Sequence, residues 1–202
     1  MHKKFEGVRH IHGIFKDPLD DSYWVTFGDE DHEAAIWRFD ENWQNEQKIF
    51  SGSQLSRVID LLFTDDEIVF GTDAPEGQNW IMKTDRATGS TEKVAPAKGP
   101  VFHAKNCGGK LFFSTAREPS ETNRCDDIEV FYLNGDEAEI LTSFRKDAWS
   151  MKYFQHGQAS FADGTHSSGH LWISPLATQS DQSSFLYDVS ELMKPQPVTN
   201  GL

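Results

Sequence analysis

The chain has 202 residues, with 32 Asp or Glu against 19 Lys or Arg, a formal charge of −13 at neutral pH. That length can bury a sizeable core, and that charge repels nucleic-acid phosphate, which needs a basic surface. No run of about eighteen apolar residues reads as a membrane span, and Met1 to Gly7 lacks the apolar centre of a secretory leader, so a cytoplasmic location is expected.

Strand candidates follow one another from the start, separated by Gly, Pro, Asn and Asp clusters that make turns. The first group is Arg9 to Phe15, Tyr23 to Phe27, Ala34 to Phe39 and Gln44 to Phe50. A second runs Arg57 to Phe63, Glu67 to Gly71, Asn79 to Thr84 and Thr91 to Ala95. The third runs Val101 to Lys105, Lys110 to Thr115, Ile128 to Leu133 and Glu139 to Phe144. A less regular fourth runs Met151 to Gln155, Gln158 to Phe161, His170 to Ser174 and Ser184 to Asp188. Period-two alternation puts Ile128, Val130 and Tyr132 on one face and Glu129 and Phe131 on the other, as in a strand. Ser190 to Met193 reads as one helical turn, stopped by Pro195 and Pro197, and residues 195–202 as a frayed tail.

The groups echo one another: Asp29, Asp73 and Arg117 end equivalent second strands and lie 44 residues apart. Units of about 40–50 residues with four strands each are propeller blades. The fold class expected is therefore an all-β β-propeller of about four four-stranded blades, near 8–51, 52–99, 100–147 and 148–190, within one domain spanning 1–194. A compact ring, an open arc and the C-terminal part of a larger propeller all fit four blades; the last is expected, because the repeats leave sheet edges unpaired.

In a propeller the first strand of each blade lines the central channel. The loops that lead into first strands and out of second strands gather on one face. That face collects Arg9, His10, His12, Ser56, Arg57, Asp60, His103, Lys152 and Tyr153 from first strands, and Asp29 to His32, Thr72, Asp73, Arg117, Glu118 and Asp163 to His166 from second strands. Convergent polar groups in a concave mouth suit a ligand. Arg9, His12, Arg57, His103, Arg117 and Lys152 are the candidate substrate-binding residues, since guanidinium offers paired donors to a carboxylate. The competing role for each arginine is a pair with a neighbouring blade's Asp. Asp73 and Glu118 are the candidate acid and base, because burial raises one carboxyl pKa while an arginine lowers another; the competing role is accepting loop N–H bonds.

His10 and His12 share a strand face, and with Asp29, Asp31 and His32 nearby a divalent metal is one reading; no motif of metal-site spacing supports it, and no cofactor is assigned. Cys107 and Cys125 lack metal or redox spacing and read as free thiols. Trp24, Phe27, Phe63, Phe70, Phe112 and Phe113 are expected in the core. Neither a phosphate-binding Gly-rich loop nor a G-x-S-x-G nucleophile elbow is present.

Arg9-His10-Ile11-His12-Gly13 with Asp17-Pro18 and Tyr23-Trp24-Val25-Thr26, Ser56-Arg57 with Phe70-Gly71-Thr72-Asp73, and Leu111 to Thr115 together resemble the sialidase-like, Asp-box-repeat propeller superfamily over roughly 8–189. The Asp-boxes are degenerate: Leu133 to Ile140 keeps only the turn-like character of Ser-x-Asp-x-Gly-x-Thr-Trp. The resemblance implies a glycan or small acidic carbohydrate as partner and glycoside hydrolysis as a reaction. Arg9, Arg57, Arg117, Tyr153, Glu118 and Asp73 are of suitable type, without a motif that orders them. A non-catalytic interaction module is the alternative, and a metal-dependent lyase or hydrolase using His10, His12 and His103 the third reading.

Overall fold

The computed structural model describes residues 5–119, 126–164 and 169–193, so the expectations for Cys125, His166 and the tail 195–202 lie outside the described residues. Fifteen strands form: β1 Ile11–Lys16, β2 Tyr23–Phe27, β3 Ala35–Phe39, β4 Gln47–Ser51, β5 Val58–Phe63, β6 Glu67–Thr72, β7 Asn79–Asp85, β8 Thr91–Ala97, β9 Val101–Cys107, β10 Lys110–Thr115, β11 Asp127–Asn134, β12 Glu137–Arg145, β13 Gln158–Phe161, β14 His170–Leu176 and β15 Phe185–Asp188. Single 3-10 turns occupy Gln54–Ser56 and Ser190–Met193. No helix is long and apolar enough to cross a membrane among the described residues.

The strands make four antiparallel sheets in chain order, β1-β2-β3-β4, β5-β6-β7-β8, β9-β10-β11-β12 and β13-β14-β15. These are propeller blades, stacked face to face through the alternation of their side chains. On β11, Ile128, Val130 and Tyr132 join Ala159, Leu171 and Ile173 of the fourth sheet, while Phe131 turns the other way to meet Leu62, Val69 and Ile81 of the second. Likewise Trp24 and Ile36 pack on Ile68, Phe70 and Met82. Trp24, Phe27, Phe70, Phe112 and Phe113 are buried, as expected, and Phe63 is half-buried. Blades approach closely where β6 passes β9, because a Cβ on Gly71 would sit 2.3 Å from that of Val101.

The far face of the first sheet, Val25, Phe27, Ala35, Trp37 and Phe39, packs with Phe5, Val8 and Trp43 rather than with the fourth sheet. Among the described residues no strand pairing joins the fourth sheet to the first, so the blades form an arc that is not closed by hydrogen bonding.

The fourth blade corrects the sequence reading. Met151 to Gln155 is not a strand: the Ser150 carbonyl accepts from the Tyr153 and Phe154 N–H groups (3.1 and 3.0 Å), winding this stretch into a turn. The channel-side strand is instead β13, tied to β9 through His103 Nε2 and Gln158 Oε1, 2.9 Å apart. The blade has three strands among the described residues, and Asp163 follows its first strand instead of its second. Asp163 therefore lies at the opposite end of the sheets from Asp29 and Asp73, beside Pro18 and Gly108.

Candidate functional site

Each of the first three channel strands carries an irregularity near its start. Register slips between Ile11 and Gly13, between Val58 and Leu61, and opposite the Ser114–Thr115 step, so that His12, Ile59 with Asp60, and Phe102 have no regular cross-strand partner. Bulges bend a strand and re-aim side chains. Here His12, Ile59 and Phe102 line one hollow at the channel mouth, about 270 Å³, together with His10, Ile11, Arg57, Asp73 and Glu118. Three blades thus contribute to one site.

Asp29 is the hub on the first blade. Gly28 at φ 98° turns the chain out of β2, a conformation open to glycine, and a Cβ there would lie 2.3 Å from Ala34 N. The Glu33 carboxylate then gathers the loop, accepting the N–H groups of Asp29 (3.0 Å), Glu30 (3.2 Å) and Arg9 (3.0 Å). Those backbone donors, Asp29 first, hold the Glu33 carboxyl below its ordinary value. Around the Asp29 carboxylate stand Arg9 Nη1 at 3.2 Å, His10 Nδ1 at 3.4 Å, His12 Nε2 at 3.5 Å and Arg57 Nη2 at 3.9 Å. His12, its side chain only 5% exposed, donates from Nδ1 to the Val58 carbonyl at 3.1 Å, since a carbonyl can only accept. Burial lowers the His12 pKa, outweighing that bond.

Asp73 lies deeper. Its side chain is 2% exposed, with Oδ2 3.0 Å from Arg57 Nε. The approach is an ion-pair distance without hydrogen-bond alignment, which leaves Arg57 Nε and Asp73 Oδ1 with no hydrogen-bond partner. Burial pushes the Asp73 pKa up to about 8, with Arg57 pulling down and Glu118 and Asp29 adding to the rise. At neutral pH the carboxyl is largely protonated. Glu118 Oε1 lies 3.5 Å from His156 Nδ1 on the approach to β13.

Of the residues expected at the mouth, Arg9, His12, Arg57, Asp73 and Glu118 come together around this hollow and the rim beside it. Arg117 is turned to the side: its backbone N–H donates to Gly157, its Nε lies 3.4 Å from Asp126 Oδ1, and its guanidinium bonds the Glu118 carbonyl. Lys152 sits exposed in the turn before β13, its ammonium 5.4 Å from the Tyr153 ring centroid. His103 faces a different hollow, about 690 Å³, with Asp60, Lys105 and Asp163. The arginines pair with carboxylates of their own blades, Arg9 with Asp29, Arg57 with Asp73 and Arg117 with Asp126, rather than with a neighbouring blade's Asp; Arg57 alone also approaches one across blades, Asp29 at 3.9 Å.

The larger hollow offers less chemistry than its size suggests. Asp60 accepts the Ala104 and Leu61 N–H groups at 2.9 Å each, His103 bonds Gln158, and Lys105 Nζ donates to the Gly164 carbonyl at 2.6 Å. Asp60, His103 and Lys105 there each have a hydrogen-bond partner, whereas beside the mouth hollow the buried Asp73 Oδ1 has none. Sequence reasoning missed Glu33 as organiser and His156 as the Glu118 partner; Glu33, four residues after Asp29 in a tight loop, was the signal available.

No protein-family model and no curated protein matches the chain. Among solved structures, it is similar to dihydro-heme d1 dehydrogenase NirN in complex with DHE (TM-score 0.56, 13% identity, 88% of this chain and 35% of that one). Further likenesses are the N-terminal domain of Nup159 (TM-score 0.46, 12% identity, 87% and 43%) and the β-propeller domain of the Trilobed protease from Pyrococcus furiosus (TM-score 0.47, 7% identity, 88% and 68%). The chain thus spans less than half the length of the first two. At such identities the likeness extends to the propeller fold alone.

Proposed function

We propose that the chain is a carbohydrate-recognising propeller domain that takes one sugar unit at the mouth hollow. The observation that carries this reading is the buried Asp73 Oδ1 with no hydrogen-bond partner, beside the Arg57 guanidinium and beneath a hollow lined also by Phe102, Ile59 and Ile11. A sugar has the matching character, hydroxyls for the polar groups and a C–H face for the ring. A protonated Asp73 beside a second carboxyl, Glu118, also has the composition of a glycosidase pair, one acid and one base or nucleophile. The sialidase-like reading rests on this pair and on the degenerate sequence resemblance.

The test is binding and turnover of a panel of sialosides, uronic-acid oligosaccharides and neutral oligosaccharides by wild type, Arg57→Ala and Asp73→Asn. Wild type is expected to bind one class, with affinity at least about tenfold weaker in Arg57→Ala, the loss of a charged hydrogen bond. Hydrolysis abolished in Asp73→Asn with binding retained would assign catalysis; binding without product would assign a recognition module. Equal binding by all three proteins would remove the site.

A further inference from the structure

We propose that the rim of the first blade is a binding site for a first-row divalent metal of the zinc class, with His10 Nδ1, His12 Nε2 and the Asp29 carboxylate as its protein ligands. This goes beyond the carbohydrate reading and does not depend on it.

The spacing of the donors is the first ground. One donor atom from each of the three residues lies within 4.8 Å of the other two, with His10 Nδ1 3.4 Å from Asp29 Oδ2 and His12 Nε2 3.5 Å from Asp29 Oδ1. Those lengths exceed a good hydrogen bond. Each alone matches the edge of a tetrahedron whose metal–ligand bonds are about 2.0–2.1 Å, which is about 3.3–3.4 Å, and a single bound oxygen serving both nitrogens needs the carboxylate to turn. The remaining gap is between the imidazoles, whose ring centroids are 4.7 Å apart. His10 is half exposed, so a turn of its ring closes the gap without moving the core.

The surroundings are the second ground. Metal-bound histidine characteristically donates its other ring N–H to a fixed acceptor. His12 does so to Val58 O, which leaves Nε2 as its ligating nitrogen. Asp29 is steadied through its own N–H by Glu33. Two imidazoles and one carboxylate suit zinc and its neighbours better than calcium or magnesium, which prefer all-oxygen sets. Three protein ligands leave a further position for water or a ligand, the pattern of an open site. The Arg9 cation now on Asp29 Oδ2 has a side chain 76% exposed and can withdraw into solvent at small cost. Arg57, at 3.9 Å, keeps its closer contact with Asp73. His103, the third histidine expected from the sequence, bonds Gln158 instead, and Asp29 completes the set.

The full chain, stripped with chelator and dialysed, is titrated with Co²⁺ while the visible d–d bands are recorded, and Zn²⁺ is then added. One Co²⁺ per chain, with the strong bands of a four- or five-coordinate ion and displacement by Zn²⁺, is expected. His10→Ala and His12→Ala should each weaken binding by at least about tenfold, and His156→Ala should leave it unchanged. Because His10 is half exposed, its variant keeps the fold, which an unchanged urea midpoint verifies. No band beyond that of aqueous Co²⁺, undiminished binding in both the His10 and His12 variants, or loss of binding in His156→Ala overturns the proposal.

Discussion

Asp73 is a carboxyl whose position contradicts its ordinary chemistry. Buried, and with Glu118 and Asp29 adding negative potential, it keeps its proton in the folded protein up to about pH 8, although Arg57 stands at 3.0 Å. In the unfolded chain it ionises near the ordinary value of about 3.9. Between those limits the folded state binds more protons than the unfolded one, so this residue makes stability fall as pH rises from about 4 to about 8, and the slope ends where the folded form also ionises. Asp73→Asn imitates the protonated group at all pH values. Urea midpoints of variant and wild type should therefore nearly coincide at and below about pH 4 and separate steadily as the pH rises to about 8, with the variant the more stable; parallel pH curves would contradict the protonated assignment. Much of this neighbourhood was legible in the sequence, because the 44-residue spacing that aligns Asp29 with Asp73 also set Arg57 and His12 at the starts of the adjoining strands. What was not legible is pairing. Whether Arg57 meets a ligand or Asp73 depends on how two loops lean across a few ångströms, and residue type is silent on that.

At the scale of elements, the four-strand grammar held for three blades and lost its frame in the fourth. The stretch 151–155 carries strand-like residues, but its N–H groups are taken by Ser150 in a local turn, so β13 assumes the channel-side place. Bulges were equally hidden. An extra residue at His12 or Phe102 does not disturb composition, yet it decides which side chains reach the mouth. The joint between the first two blades was also missed. Asp17 and Arg86 fall in turns 69 residues apart, yet Arg86 Nη1 and Nη2 donate to the two Asp17 oxygens at 2.6 and 3.0 Å, with Asp17 fully buried. Arg86 Nε also donates to the Thr64 carbonyl at 2.7 Å. Removing one partner strands the other charge in the interior, which costs about 3–5 kcal/mol. Arg86→Ala should lose stability on that scale in urea unfolding, and a change under about 1 kcal/mol would show the pair to be dispensable.

At the scale of the whole molecule, the arc has two unlike ends. The first blade's outer face is sealed by Phe5, Val8 and Trp43, whereas the last blade presents Trp172 and Leu186, directly opposite each other on β14 and β15 and both exposed. Between those ends the blades enclose hollows at opposite ends of the sheets, and in the one of about 690 Å³ away from the mouth Asp60, His103 and Lys105 are each already hydrogen-bonded. The central claim is that the smaller one, at the mouth, is where the ligand sits. Backbone amide shifts measured by NMR during titration with the sugar class selected by the binding panel test this most directly. The account predicts that the largest changes fall on Arg57, Asp73, Phe102 and Glu118. Changes confined to Asp60, Lys105 and Asp163 at the other end would contradict it.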